Sequence, residues 1–123
     1  MTEKKRVLLI DDDATVVGYL TTKLSKLYEV VSTSDPRKAV AMARRELPDV
    51  ILCDIDMPGM GGGEVAAALS EDTTLARIPF VYLTDLVSPE ETQDLQGEVG
   101  GRPGVSKRAP LAELVSRIDQ LTS

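Results

Sequence analysis

Five short runs of apolar and β-branched residues recur along this chain, and stretches of helical character separate them. The runs span residues 7–10, 30–32, 50–53, 80–83 and 105–106. Such continuous runs are typical of strands in a parallel sheet that is covered on both faces. Consecutive parallel strands are joined by right-handed crossovers. The pattern therefore predicts an α/β fold with a doubly wound, five-stranded parallel sheet and flanking helices.

Apolar residues at helical spacing predict the intervening helices. The three stripes are Val16, Val17, Leu20, Leu24 and Leu27; Ala39, Val40, Ala43 and Leu47; and Leu111, Leu114, Val115, Ile118 and Leu121. Asp35 followed by Pro36 reads as an N-cap with proline at the first helical position, and Pro48 ends that helix. Residues 88–91 fit a capping box. Glycine and proline crowd residues 97–104, so we expect a short helix and an open loop there.

Composition bounds the class of protein. The 123 residues, 42% of them hydrophobic, match one domain with one core. A net charge of −6 opposes a phosphate-binding surface for nucleic acid. The charged residues 1–6 precede only four apolar residues, too few for a signal peptide or a membrane span. We therefore expect one cytoplasmic domain over residues 1–123, with no direct nucleic-acid or membrane partner.

Polar residues stand at the carboxyl ends of four predicted strands. They are Asp11, Asp12, Asp54, Thr84 and Lys107. Doubly wound sheets bind their ligands at this edge, so we expect these side chains to converge. Carboxylate oxygens suit Mg²⁺. The chain has no histidine and one cysteine, which argues against a zinc site of the usual kind. A carboxylate beside Mg²⁺, a hydroxyl and an ammonium group predicts reversible phosphorylation of an aspartate.

Four segments of the chain resemble the receiver domains of response regulators in two-component signalling, of the chemotaxis-regulator type. The segments are residues 7–13, 48–62, 80–84 and 105–107. The resemblance implies a flavodoxin-like (βα)5 sheet with strand order 2-1-3-4-5. The length of the chain leaves room for a single receiver domain and no output domain, unless the chain is a fragment excised from a longer regulator. The resemblance also implies a phosphodonor, which is a histidine kinase, a phosphotransfer protein or a small acyl phosphate. The output would be contact with a downstream protein target.

The same resemblance implies a role for each site residue. Asp54 is the phosphoacceptor, Thr84 hydrogen-bonds the phosphoryl group, and Lys107 pairs with another phosphoryl oxygen. The implied ligands of Mg²⁺ are Asp11, Asp12, Asp54 and the carbonyl group of Asp56.

Four positions depart from the usual pattern of that family, and three of them bear on the site; the fourth, Gly61 in place of an acidic residue, is assigned no function. Asp85 follows Thr84 where a small residue is usual, which places like charge near the phosphoryl group. Gly104 stands where a tyrosine or phenylalanine is usual, so we do not expect activation by rotation of an aromatic ring at this position. Arg108 stands where proline is usual, which predicts a less firmly held Lys107.

Two other functions fit part of the sequence. Residues 52–56 resemble the aspartate-nucleophile motif of haloacid-dehalogenase-type phosphohydrolases, in which the second aspartate is the general acid and base. That motif normally follows the first strand, whereas two βα units precede it here, and only sixteen residues follow Lys107. A pseudo-receiver, an interaction module that works without phosphorylation, is the other alternative, and Asp85 and Gly104 favour it.

Several singled-out residues also have a purely structural interpretation. Residues 11–13 could be N-capping acids ahead of the first helix. The glycines of residues 59–63 lack the Walker lysine and the dinucleotide-binding spacing, so they predict a flexible turn. Cys53, the only cysteine, lies inside an apolar run, which predicts a buried core thiol.

Overall fold

This computed structural model describes residues 4–84, 98–99 and 102–123. These residues contain six strands and four helices. The strands are β1 (Arg6–Ile10), β2 (Glu29–Thr33), β3 (Val50–Asp54), β4 (Phe80–Thr84), β5 (Glu98–Val99) and β6 (Arg102–Ser106). The helices are α1 (Ala14–Leu24), α2 (Ala39–Glu46), α3 (Gly62–Ser70) and α4 (Leu111–Thr122). Two 3₁₀ turns span Pro36–Lys38 and Leu75–Arg77. None of the helices in the described ranges has the length and hydropathy that crossing a bilayer requires.

The five predicted parallel strands are confirmed, and so is their order. The sheet runs β2-β1-β3-β4-β6, which is the order 2-1-3-4-5 when the parallel strands alone are counted. The short strand β5 adds an antiparallel pair at the outer edge of β6. Residues 98–99 and 102–104 therefore lie in strands, so the prediction of an open loop was wrong for them. Pairing with β5 gives partners to backbone groups that the edge of β6 would otherwise expose. The helix expected before them and the capping pattern at 88–91 lie outside the described residues.

Both faces of the sheet are buried, as the unbroken apolar runs predict. Alternate residues of each strand point to opposite faces. On one face, Leu8 and Ile51 lie in a cluster with residues of α2 and α3. On the other face, Leu9 and Leu52 lie in a cluster with residues of α1 and α4. Each of these four side chains is fully buried, and such burial stabilises the fold by about 1.5–3 kcal/mol per side chain.

Two residues of the predicted apolar stripes lie outside the helices. Leu27 is 52% exposed and Leu47 is 59% exposed, so the prediction that both face the core was wrong. The first helix stops early because the N–H groups of Leu27 and Tyr28 both donate to the carbonyl oxygen of Leu24. Leu47 adopts the left-handed conformation, with φ of 44°, as the C-cap of α2, and Pro48 follows it.

Candidate functional site

Three strands bring charged residues to the carboxyl edge of the sheet. Asp11 directly follows β1, Asp54 is the last residue of β3, and Lys107 directly follows β6. The carboxylate oxygens of Asp11, Asp12 and Asp54 all lie within 4.8 Å of one another. Three of the five residues predicted to converge, Asp11, Asp12 and Asp54, are therefore close together in the structure.

Lys107 makes two ion pairs at this edge. Its Nζ lies 2.8 Å from Oδ2 of Asp11 and 3.2 Å from Oδ1 of Asp54. Burial alone would lower the pKa of Lys107, but the hydrogen bonds and charges of Asp11 and Asp54 outweigh burial and raise it. Lys107 is therefore held as an ammonium group against the two buried carboxylates.

Asp54 carries a negative charge that the protein compensates only in part. Its pKa is raised by burial and then by the charge of Asp11, while Lys107 and the backbone N–H of Asp56 act in the opposite direction. A cation near the carboxylate would favour its ionised form. The position of Asp54 thus combines a buried carboxylate with negative charge that the protein compensates only in part.

The three consecutive acids after β1 differ in what they contact. Asp11 is fully buried, and its Oδ1 accepts the backbone N–H of Asp13 at 2.9 Å. Oδ1 of Asp13 accepts the N–H of Thr15 at 2.9 Å, so Asp13 is the N-cap of α1. Asp12 is exposed and belongs to the carboxylate cluster. The structural interpretation of residues 11–13 as capping acids thus applies to Asp13.

The loop after β3 holds α3 close to the backbone of Asp54. The N–H of Gly62 donates to the carbonyl oxygen of Ile55 at 2.8 Å. A Cβ atom at Gly62 would lie 2.4 Å from the carbonyl oxygen of Asp54, so this approach requires glycine. Gly59 has φ of +81° and lies in the turn, but Gly62 and Gly63 form the first turn of α3. The prediction of a flexible turn over residues 59–63 was wrong for these two.

Two further predicted site residues flank the charged group. Thr84 ends β4, is 1% exposed, and its carbonyl oxygen accepts the N–H of Lys107 at 3.0 Å. Asp56 has an exposed side chain outside the carboxylate cluster, and its backbone N–H bonds to Asp54. Asp85 lies outside the described residues. Gly104 is paired with Tyr82 across β4 and β6.

Sequence reasoning missed one residue beside the site, Ser106. Its Oγ accepts the backbone N–H of Arg108 at 3.1 Å, so the residue replacing the usual proline has its N–H bound. Serine two residues ahead of a free N–H commonly makes such a turn. That spacing is the signal that could have identified Ser106.

The donor set fits a hard divalent cation. Asp11, Asp12 and Asp54 offer only oxygen ligands, which Mg²⁺ prefers. Three carboxylates and one ammonium group leave two negative charges, which one divalent cation would neutralise. The residues present are therefore suited to hold Mg²⁺.

Comparison with known proteins agrees with this geometry. The family model of the response regulator receiver domain matches residues 7–119. The response regulator PleD of Caulobacter vibrioides is 39% identical over 119 residues, which cover 95% of this chain and 26% of PleD. The protein PilH of Pseudomonas aeruginosa is 35% identical over 97 residues, 78% of each chain. The solved structure of the Vibrio cholerae chemotaxis protein CheY4 is similar, with a TM-score of 0.81 at 28% identity over 96% of this chain and 98% of that one. The chain thus spans about a quarter of PleD, the first of these relatives.

Proposed function

The chain belongs to the response-regulator receiver family of two-component signalling, and from this premise we propose that Asp54 accepts a phosphoryl group in a Mg²⁺-dependent reaction. The donor would be a histidine kinase or a phosphotransfer protein, and the output would be contact with a downstream protein. Receiver domains are signalling regulators and generally not enzymes. We propose that this chain is likewise a phosphoacceptor regulator, which assists its own phosphorylation and dephosphorylation. The observation that carries this proposal is the contact of Lys107 with both Asp11 and Asp54.

The proposed reaction uses the side chains of this chain in distinct roles. A carboxylate oxygen of Asp54 attacks the phosphorus atom in line, an O–P bond forms, and the leaving group departs with the electron pair of the bond that breaks. The ammonium group of Lys107 neutralises charge on a phosphoryl oxygen while Asp11 keeps it in place. The hydroxyl group of Thr84 would donate to another phosphoryl oxygen. Mg²⁺ held by Asp11, Asp12, Asp54 and the carbonyl of Asp56 would supply positive charge to the same group.

Phosphorylation by a small acyl phosphate tests this proposal directly. The protein is incubated with acetyl phosphate, with Mg²⁺ or with EDTA, and the intact mass is followed because the chain has no tryptophan for a fluorescence assay. We expect the mass to rise by one phosphoryl group with Mg²⁺ and to stay unchanged in EDTA.

Two matched variants locate the phosphoacceptor. Asp54→Asn should abolish the mass increase. Asp49 lies directly before the first residue of β3, and its carboxylate accepts the N–H of Arg6. Asp49→Asn makes the same chemical change at this opposite end of the strand and should leave the mass increase intact. A phosphoryl group that survives Asp54→Asn, or that forms equally in EDTA, would refute the assignment.

A further inference from the structure

We propose that Ser106 is a positioning residue for Lys107, acting through the hydrogen bond that its hydroxyl group accepts from the N–H of Arg108. The inference rests on the proposed function, because it concerns the lysine that would meet the phosphoryl group. Ser106 itself does not touch the reacting atoms in this role. It sets the direction in which the Lys107 side chain leaves the sheet.

The contacts of the backbone around Lys107 carry this inference. Strand β6 ends at Ser106, so Lys107 is the first residue beyond the ladder. The N–H of Lys107 still donates to the carbonyl oxygen of Thr84 at 3.0 Å, which fixes one side of the residue. The peptide group on the other side leaves the sheet, and there the N–H of Arg108 donates to Oγ of Ser106 at 3.1 Å. The N–H of Ala109 donates to the carbonyl oxygen of Ser106 at 3.0 Å.

Lys107 is therefore the central residue of a turn that Ser106 closes twice. Such serine turns fix the backbone dihedral angles of the residue between the hydroxyl group and the bound N–H. Ser106 is 3% exposed and is paired with Thr84 in the sheet, so it is a rigid base for the turn.

The ion pairs of Lys107 depend on the backbone conformation that this turn fixes. The lysine stem has many rotamers, and Nζ must still reach Asp11 at 2.8 Å and Asp54 at 3.2 Å. A small rotation of the backbone at Lys107 moves the end of this long stem much further than its root. Misplacement of a charge-stabilising group by about 1 Å lowers reaction rates strongly. The hydroxyl group of Ser106 thus acts on the reaction through Lys107.

The substitution Ser106→Ala removes the hydroxyl group and with it the acceptor of the Arg108 N–H. Ser106→Ala leaves the turn N–H of the exposed residue Arg108 within reach of water. A matched control is Ser70→Ala at the end of α3, where Oγ donates to the carbonyl oxygen of Ala67 at 2.7 Å, away from the carboxyl edge of the sheet. Thermal unfolding of each variant shows that it is folded at the temperature of the assay.

The test is a double-mutant cycle with Lys107, measured as the rate of phosphorylation by acetyl phosphate with Mg²⁺. We expect Ser106→Ala to lower the rate by about three- to tenfold in the wild-type background. In the Lys107→Ala background, the same substitution should change the rate by less than about twofold, because the positioned group is gone. Ser70→Ala should leave the rate unchanged.

A second measurement does not depend on turnover. Amide hydrogen exchange resolved by NMR should show the Arg108 amide protected in the wild type and exchanging faster in Ser106→Ala. The role of Ser106 would be overturned if Ser106→Ala caused no loss of rate, or the same loss with and without Lys107. Unchanged protection of the Arg108 amide in Ser106→Ala would overturn it as well. A wild-type protein that takes up no phosphoryl group would refute the proposed function instead, so the two failures are distinct.

Discussion

Asp12→Ala is expected to stabilise the protein without divalent cations and to destabilise it relative to the wild type with Mg²⁺. Asp12 is exposed, and its carboxylate lies within 4.8 Å of those of Asp11 and Asp54. The ammonium group of Lys107 contacts only the other two carboxylates among the ion pairs of the described residues. Removal of the Asp12 charge therefore relieves repulsion that the protein itself does not fully compensate.

The magnitude follows from the distance and the exposure. Two unit charges 4.8 Å apart repel by about 0.9 kcal/mol in water and about 3.5 kcal/mol at an effective dielectric constant of 20. The exposure of Asp12 favours the lower value, and Lys107 offsets part of the field of its two neighbours. A net gain of about 1 kcal/mol corresponds to a rise in Tm of about 3–5 °C for a domain of this size.

Mg²⁺ is expected to reverse the order of the two proteins. A ligand that binds only the folded state at tenfold its Kd stabilises that state by about 1.4 kcal/mol. The wild type gains this stability, whereas Asp12→Ala, which lacks one proposed ligand, loses most of it. The difference in Tm between the two proteins should therefore change sign between EDTA and millimolar MgCl₂.

Asp13→Ala is the matched control for this prediction. It removes the same formal charge from the neighbouring residue, but it also removes the N-cap of α1. Loss of such a cap costs about 1 kcal/mol. Asp13→Ala should therefore melt below the wild type both in EDTA and in MgCl₂.

Thermal unfolding followed by circular dichroism measures the Tm of the wild type, Asp12→Ala and Asp13→Ala, each in EDTA and in MgCl₂. The reasoning fails if Asp12→Ala melts clearly below the wild type in EDTA, because the acids would then stabilise the apo site. It also fails if Mg²⁺ raises the Tm of Asp12→Ala as much as that of the wild type.

Three further predictions concern positions where backbone or capping geometry decides stability. Gly62→Ala should destabilise the protein by about 1–3 kcal/mol and slow phosphorylation, because the new Cβ atom would clash with the carbonyl oxygen of Asp54. Gly18→Ala on α1, where a Cβ atom has open space, should instead stabilise the protein by about 0.5–1 kcal/mol, and urea unfolding measures both changes. Leu47→Gly should raise the free energy of unfolding by about 0.5–1 kcal/mol, because it relieves a left-handed φ at an exposed side chain; an unchanged urea midpoint would contradict this. Hydrogen bonds from two backbone N–H groups of its own turn lower the pKa of Asp72 in the folded state. The carboxylate therefore contributes to the free energy of unfolding above the unfolded-state pKa of about 4, and this contribution is lost as pH falls through the folded-state pKa. Asp72→Asn should therefore be less stable than the wild type at pH 7, and the difference should shrink at pH 3.

Sequence patterns predicted the sheet and the charged site because both depend on residue type and order. An apolar run such as residues 50–53 has one stable place, the buried centre of a sheet, and Asp54 must then lie at its carboxyl end. The convergence of Lys107 with Asp54 follows from strand order, which short right-handed crossovers restrict strongly.

The remainder depends on distances that a sequence does not contain. The end of α1 is set by which N–H groups reach the carbonyl oxygen of Leu24, so Leu27 fits the apolar stripe and still lies outside. Gly62 was one glycine among several until its approach to Asp54 could be measured. Strand β5 has two residues, too few for an apolar pattern, and it exists because the edge of β6 offers free backbone groups.

The buried thiol of Cys53 can report when the central strand β3 opens to solvent. This single thiol is fully buried next to Asp54, and its pKa is raised by burial and then by the charges of Asp54 and Asp11. Thiolates react with alkylating reagents, so labelling in the native state must wait for β3 to open. The alkylation rate at low denaturant therefore measures how often the strand that carries Asp54 separates from its neighbours β1 and β4. A metal ion or phosphoryl group that holds this edge closed would be read as slower labelling, without any engineered probe.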